Sequence, residues 1–169
     1  MSDQPTHPDA SIKLKEKLED TKLAMMTTRL VGGHLHSRPM YTSQVESTGI
    51  LWFFTSDKSG KIKELQQDNH VNLGYANVDD NLYVSVAGRA ELVEDKAKMN
   101  DLWTPAMKAW FADGLDTPDI ALLKVTADHA EYWDTTSSTM VHLYGMAKAA
   151  LTGESARDDA GEHEKLDIR

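Results

Sequence analysis

The chain has 169 residues, 40% hydrophobic and 27% charged, an ordinary mix for one globular domain with a real core. A formal net charge of -9, with no concentrated basic stripe, argues against nucleic-acid binding and gives no reason to sit on an anionic membrane. With no Cys there are no disulfides, no thiol catalysis and no cysteine-ligated metal, which fits a reducing cytoplasm.

Met1 to Ala10 is polar and carries two prolines; it reads as a disordered lead-in rather than a secretory signal. Ser11 to Asp20 alternates Lys and Glu around Ile12, Leu14 and Leu18, predicting a short amphipathic helix capped by Asp9 or Ser11. Leu23 to Leu30 reads as a strand, Gly32-Gly33 as a hairpin turn and Leu35 to Val45 as the returning strand. Pro39 has no N–H for a ladder, so that part of the strand belongs at an edge or a bulge.

Ile50 to Phe54 is a continuous apolar run, long enough for a buried strand and too short for a helix. It turns polar at Thr55, passes through Ser56, Asp57, Lys58, Ser59 and Gly60, and enters a helix from Gly60 to Gln67. Free N–H groups, hydroxyls and Lys61 then converge at a helix start, which favours a bound anion, phosphate above all. This stretch by itself favours a capped surface helix with solvated lysines.

His70 to Asn77 is the next strand, and Asp79-Asp80-Asn81 the turn after it. Leu82 to Leu92 alternates most cleanly: Leu82, Val84, Val86, Ala90 and Leu92 face one way, and Tyr83, Ser85, Arg89 and Glu91 the other. Asp95 to Trp110 is helical with a break near Pro105, Ala112 to Pro118 is a loop, and Ile120 to Asp134 is a last long strand. Met140, Leu143, Tyr144, Ala147 and Leu151 follow helical spacing, and the acidic stretch Thr152 to Arg169 reads as a mobile tail. The organisation expected is a lead-in over 1–10, one domain over 11–151 and a flexible tail over 152–169. No apolar run approaches a membrane span. Six or so strands at short spacing with helices between and after them suggest an antiparallel barrel, mainly β with α.

The order of Arg38-Pro39-Met40, Phe53-Phe54-Thr55-Ser56 and Ser59-Gly60-Lys61 resembles the FMN-binding split-barrel superfamily, to which the pyridoxamine 5'-phosphate oxidases belong. Trp103 to Trp110, Phe111-Ala112-Asp113-Gly114 and Ala130-Glu131-Tyr132-Trp133-Asp134 resemble its general stress protein 26-like branch. The resemblance covers Lys13 to Gly145. It implies a six-stranded antiparallel split β-barrel with flanking helices, forming a homodimer with FMN at the subunit interface. By that analogy Arg38 and Lys61 hold the FMN phosphate, and Ser59 and the helix start add hydrogen bonds. Met40, with the backbone of its neighbours Pro39 and Tyr41, lies along the ring and ribityl chain. Phe54 and Thr55 contact the flavin, and Trp133 closes the site from the partner subunit. These residue types suit the ligand: a phosphate dianion needs cations and N–H or O–H donors, and a flavin is a flat apolar plate with one polar edge.

The sequence also departs from the oxidases. Their lysine shortly after the arginine motif is absent, since Pro39 to Asp57 contains none, and no arginine stands between Trp133 and Arg157 to bind a substrate phosphate. Oxidation of pyridoxamine phosphate itself is therefore not expected. The open function classes are an FMN-dependent oxidoreductase acting on a small molecule or NAD(P)H, a non-catalytic flavin-binding stress or storage protein, and a barrel holding haem or a deazaflavin. His34 and His36 share a strand face without a third metal ligand, so no metal site is expected. Trp103, Trp110 and Phe111 suit a flavin roof, a dimer interface or plain core packing equally well. Arg89 and Glu91 read as an exposed strand pair of little energetic weight.

Overall fold

The computed structural model describes residues 8–134 and 162–168. Helix α1 (Pro8–Leu18) precedes strands β1 (Leu23–Arg29), β2 (Leu35–Val45) and β3 (Ile50–Ser56). Helix α2 (Gly60–Gln67), β4 (His70–Asn77), β5 (Leu82–Val93), α3 (Lys96–Leu102), β6 (Ile120–Asp134) and β7 (Glu162–Asp167) follow. Short 3-10 turns cover Pro105–Ala109 and Gly114–Asp116, so Pro105 does break the stretch after Asp95. Helix α1 starts earlier than its spacing suggests. Proline fits a first helical position, and Ser11 lies buried inside the helix rather than capping it.

The strands pair in the order β3-β2-β1-β4-β5-β6, and a β3–β6 ladder closes them into a six-stranded antiparallel barrel. This is the mainly-β split-barrel architecture with flanking helices. Strand β3 is buried on both faces, which is why it reads as an unbroken apolar run. Leu51 and Phe53 point into the barrel core with Met26, Leu73, Val86 and Val125. Trp52 and Phe54 point outward, under Met99 and Leu102 of α3 and Met107 of the 3-10 turn. Each fully buried side chain of this size contributes roughly 1.5–3 kcal/mol relative to exposure.

The alternation of β5 holds from Val84 to Ala90, but Leu92 is exposed. The β5–β6 register shifts between Ala87 and Gly88, so Asp128 of β6 has no opposite number. A Cβ on Gly88 would stand 2.4 Å from the Thr126 carbonyl oxygen, so only glycine permits this approach. The bulged Asp128 is gripped by both Arg89 Nε (3.1 Å) and Nη2 (2.7 Å), while Glu91 pairs with Lys124. Arg89 and Glu91 are thus cross-strand partners of β6, not of one another.

The expected mobile tail is corrected over its last residues. Strand β7 pairs with β6 from His129↔Asp167 to Asp134↔Glu162, and Leu166 and Ile168 enter the core beside Leu14 and Leu18. The physical reason lies in β6. It is long enough that β3 covers one edge only from Ile120 to Thr126, and the remaining edge would stand unpaired without β7. Acidity does not prevent docking, because Glu162 and Glu164 meet Lys13 and Lys17 of α1 and the Tyr132 hydroxyl. The helix expected around Met140 to Leu151 lies outside the described residues.

Candidate functional site

The site arises where two barrel strands separate. Strand β2 pairs with β3 only from Thr42↔Phe53 to Val45↔Leu51. Before Thr42, β2 keeps β1 as its neighbour, with Met40 opposite Ala24 and Pro39 opposite Met25. After Phe53, β3 keeps β6, with Phe54 opposite Leu122 and Ser56 opposite Ile120. The facing edges at Pro39–Tyr41 and Phe54–Ser56 therefore have no ladder between them among the described residues. Pro39 sits at such an edge, as its missing N–H requires.

A cavity of about 510 Å³ fills this split. Pro39, Met40 and Tyr41 form one wall and Phe54, Thr55 and Ser56 the other; Lys61 lies at its polar end, and Leu23, Met107, Trp110 and Phe111 complete the lining. The 3-10 turn carrying Met107 delivers the aromatic cover. Trp110 stacks with Tyr41 (centroids 6.4 Å, planes 27° apart), and Phe111 tilts against Phe54 at 6.2 Å. Trp103 meets the edge of Phe54 at 5.7 Å from behind the wall, so it packs rather than lines. Trp110 is 65% exposed, Tyr41 45% and Leu23 60%. With Met25, these leave an apolar surface beside the cavity mouth.

Lys61 is half-buried, and its Nζ donates to Thr55 Oγ1 (2.9 Å) and Ser59 Oγ (3.0 Å). Among the described residues it has no carboxylate at ion-pair distance. Burial, then the nearby Arg38 charge, pushes its pKa below the ordinary lysine value, while Glu64 opposes this. Ser59 caps α2 by position without a side-chain hydrogen bond to the helix, because its hydroxyl faces Lys61. Arg38 is held differently. Nη1 donates to Thr28 Oγ1 (2.5 Å), and Nη2 to Glu64 Oε2 (2.6 Å) with His36 Nδ1 at 2.9 Å. Burial would raise the Glu64 carboxyl, but the Thr28 hydrogen bond and the Arg38 guanidinium hold it below the usual carboxylate range.

Of the residues singled out in the sequence, Pro39, Met40, Tyr41, Phe54, Thr55 and Lys61 share this cavity. Ser59 supports Lys61, and Arg38 stands behind the wall within electrostatic reach of it. Trp133 is not brought in. It pairs with Tyr83 and stacks on His163 at 5.2 Å, roughly 35 Å of extended strand from the Phe54 partner Leu122. Leu23, Ser56 and Met107 line the cavity without having been anticipated. Ser56 belongs to the hydroxyl-rich stretch and Glu64 lies one turn after Lys61, so both had a signal; Leu23 and Met107 become visible only through cross-strand register and the turn at Pro105. No group of three or more potential metal ligands occurs among the described residues.

Comparison with known proteins agrees with this architecture. The family model described as pyridoxamine 5'-phosphate oxidase like matches residues 9–158. Protein bli-3 of Neurospora crassa is 32% identical over 165 residues, spanning 88% of this chain and 79% of its own. A solved general stress protein 26 from Jannaschia sp. CCS1 superposes with a TM-score of 0.75 at 27% identity, covering 94% of this chain and 98% of that one. The general stress FMN/FAD binding protein of Xanthomonas citri gives 0.65 at 33% identity, covering 77% and 92%. With barrel, split and family match in agreement, this chain belongs to the pyridoxamine 5'-phosphate oxidase-like family, in its general stress protein 26-like branch.

Proposed function

We propose that the split between β2 and β3 is a flavin mononucleotide site and that the protein works as an FMN-dependent oxidoreductase on a small molecule. One observation carries this reading: a half-buried lysine, held among the described residues by hydroxyls alone and beside an arginine, sits at the polar end of an otherwise apolar cavity. A cation without an acidic partner among the described residues suits, in such a place, an anionic ligand group, and the Ser59 hydroxyl, which accepts from Lys61, has its own proton to donate. The apolar walls and the unladdered strand edges suit a flat ring with a polar rim. Lys61 would hold the phosphate with Arg38 behind it, Ser59 and the α2 start would add donors, and Pro39, Met40, Tyr41, Phe54 and Thr55 would border the ring and chain. The flavin would supply electron and hydride transfer; the chain binds it, orients it and keeps water from it. The FMN/FAD-binding description of the Xanthomonas citri relative supports the choice of ligand.

The same reading makes the protein a cytoplasmic homodimer. The exposed Leu23, Met25, Tyr41 and Trp110 form an apolar surface at the cavity mouth that a second copy would cover. Trp133, 41% exposed and remote from the cavity of its own protomer, would then close the partner's site. Sedimentation is expected to show a dimer at micromolar protein, and a monomer would count against this assembly.

The test is FMN titration into apoprotein, followed by quenching of flavin fluorescence, with riboflavin as the phosphate-free control. Loss of one charge-assisted partner costs roughly 1.5–3 kcal/mol, so Lys61→Ala and Arg38→Ala should each bind FMN about tenfold to a hundredfold more weakly and riboflavin unchanged. Equal affinity of the wild type for FMN and riboflavin would refute the phosphate site. Anaerobic reduction by NAD(P)H separates an oxidoreductase from a flavin store.

A further inference from the structure

Two cations placed together in a half-buried site repel one another, and the described residues show what offsets this before any ligand arrives. Glu64 lies one helical turn after Lys61 on α2. Its Oε2 accepts from Arg38 Nη2 (2.6 Å) and from Thr28 Oγ1 (2.5 Å), and its Oε1 stands 3.6 Å from His36 Nδ1. Thr28 is itself buried, and accepts from Arg38 Nη1 at 2.5 Å. Guanidinium, hydroxyl and carboxylate thus close a three-membered ring joining β1, β2 and α2. Both charged side chains of that ring are only about one-sixth exposed (Arg38 16%, Glu64 15%).

We infer that Glu64 is a positioning residue of the anion site, orienting Arg38 and serving as the internal counter-ion that lets Arg38 and Lys61 stand together beside the cavity. The inference rests on the flavin reading of that cavity and adds to it the means by which the phosphate-binding charges are assembled in advance. Arg38 has five N–H donors; the ring and His36 engage three of them through Nη1 and Nη2, leaving the Nε–H and one Nη1–H. A preset guanidinium loses less freedom on binding than one that must be ordered by the ligand.

The charges around Lys61 make its proton, and with it the anion site, sensitive to pH. The groups facing Lys61 are Arg38 from β2, Glu64 from its own helix, the hydroxyls of Thr55 and Ser59, and Tyr41 across the cavity; His36 reaches the cluster through Arg38 and Glu64. Burial and Arg38 favour the neutral amine, and Glu64 opposes them. Removing the Glu64 charge therefore makes Lys61 lose its proton at lower pH, and phosphate affinity with it.

The experiment compares FMN and riboflavin binding by the full-length wild type, Glu64→Gln and Glu64→Ala, from about pH 6.5 to 10. Glu64→Ala is expected to bind FMN about tenfold more weakly at neutral pH, the equivalent of one charge-assisted hydrogen bond, with riboflavin affinity unchanged. Glu64→Gln keeps an acceptor for Arg38 and should recover much of the neutral-pH affinity. In both variants the alkaline loss of FMN affinity should begin at lower pH than in the wild type. If Glu64→Ala fails to fold, Glu64→Gln decides alone, because its alkaline limb must still move. An unmoved limb in Glu64→Gln, or FMN affinity in Glu64→Ala equal to or above wild type, overturns the inference while leaving the flavin reading intact. Parallel losses of FMN and riboflavin would show a merely structural role. A wild type that binds FMN no better than riboflavin removes both.

Discussion

The two ends of this barrel each gather lysines at a half-buried position, with opposite results. At the α1 end, Lys13 meets Glu162 and Glu164, and Lys17 meets Asp134 and Glu162, with Tyr132 donating to the same glutamates. Every charge there has an opposite partner, and the cluster ties the first helix to the last strand. At the α2 end Glu64, the carboxylate one turn after Lys61, is engaged by Arg38 and Thr28, and among the described residues Lys61 is left with hydroxyls. Hydroxyls solvate a cation without neutralising it, so Lys61 keeps its positive charge beside the cavity. A lysine closed by carboxylates fastens structure; a lysine held by neutral oxygens is available for binding.

The largest effect that sharpens this contrast lies in the fastened end. Ile168→Ala would empty part of the core beside Leu14 and Leu18 and should cost about 2–5 kcal/mol in urea unfolding, without changing the FMN-to-riboflavin affinity ratio. A nearly unchanged unfolding midpoint would mean that β7 contributes little to the fold. Gly49→Ala probes the same seam, since its Cβ would stand 2.7 Å from Ile168 Cγ2 and the residue has φ +81. A loss of about 1–3 kcal/mol is expected there, again with ligand ratios untouched.

The α2 end should respond in the opposite sense. Lys61→Met is expected to weaken FMN binding as Lys61→Ala does, yet to stabilise the apoprotein by roughly 0.5 kcal/mol, since it removes a half-buried cation. The sign follows from the depressed lysine pKa. Below the folded value both states carry the proton and the folded state bears the burial penalty; the penalty disappears as pH rises to 10.5. The stability gap between Lys61→Met and wild type should therefore close toward pH 10.5, and a gap constant with pH would contradict it.

The smallest effect is the acid response of β7. Hydrogen bonds from Tyr132, Lys13 and Lys17 hold the Glu162 carboxyl down to about 2. Its contribution is thus present above the ordinary value of 4.5 and is lost as pH falls from there toward 2. Amide exchange in Glu162–Asp167 should accelerate across that window before the β3–β6 ladder loosens. Simultaneous loosening of both would show that β7 does not open as a unit.

Much of the architecture is local in origin, which is why the sequence discloses it. The extents of β2, α2, β4 and β6 agree with their patterns, because alternation, apolar runs and Gly or Asn–Asp punctuation are set within a few residues. The hydroxyl-rich turn from Thr55 to Lys61 is likewise local, and the Lys61 side chain does meet the Thr55 and Ser59 hydroxyls of that same stretch. The family motifs place Pro39 to Tyr41 beside Phe54 and Thr55, and the split between β2 and β3 brings them to one cavity.

Three features required the tertiary structure. Leu166 and Ile168 look insufficient for a strand in an acidic tail, and become one only because β6 outruns β3 and Lys13 and Lys17 wait beside it. Leu23 and Met107 join the cavity through the Leu23↔Tyr41 register and the 3-10 turn after Pro105, which no local period encodes. The division of charge among Arg38, Glu64 and Lys61 depends on which side chains three separate elements bring within hydrogen-bond reach. Sequence determines that two cations and an acid are present; packing decides that the acid takes the arginine and leaves the lysine to hydroxyls, because Coulomb attraction and burial act over distances in space rather than along the chain.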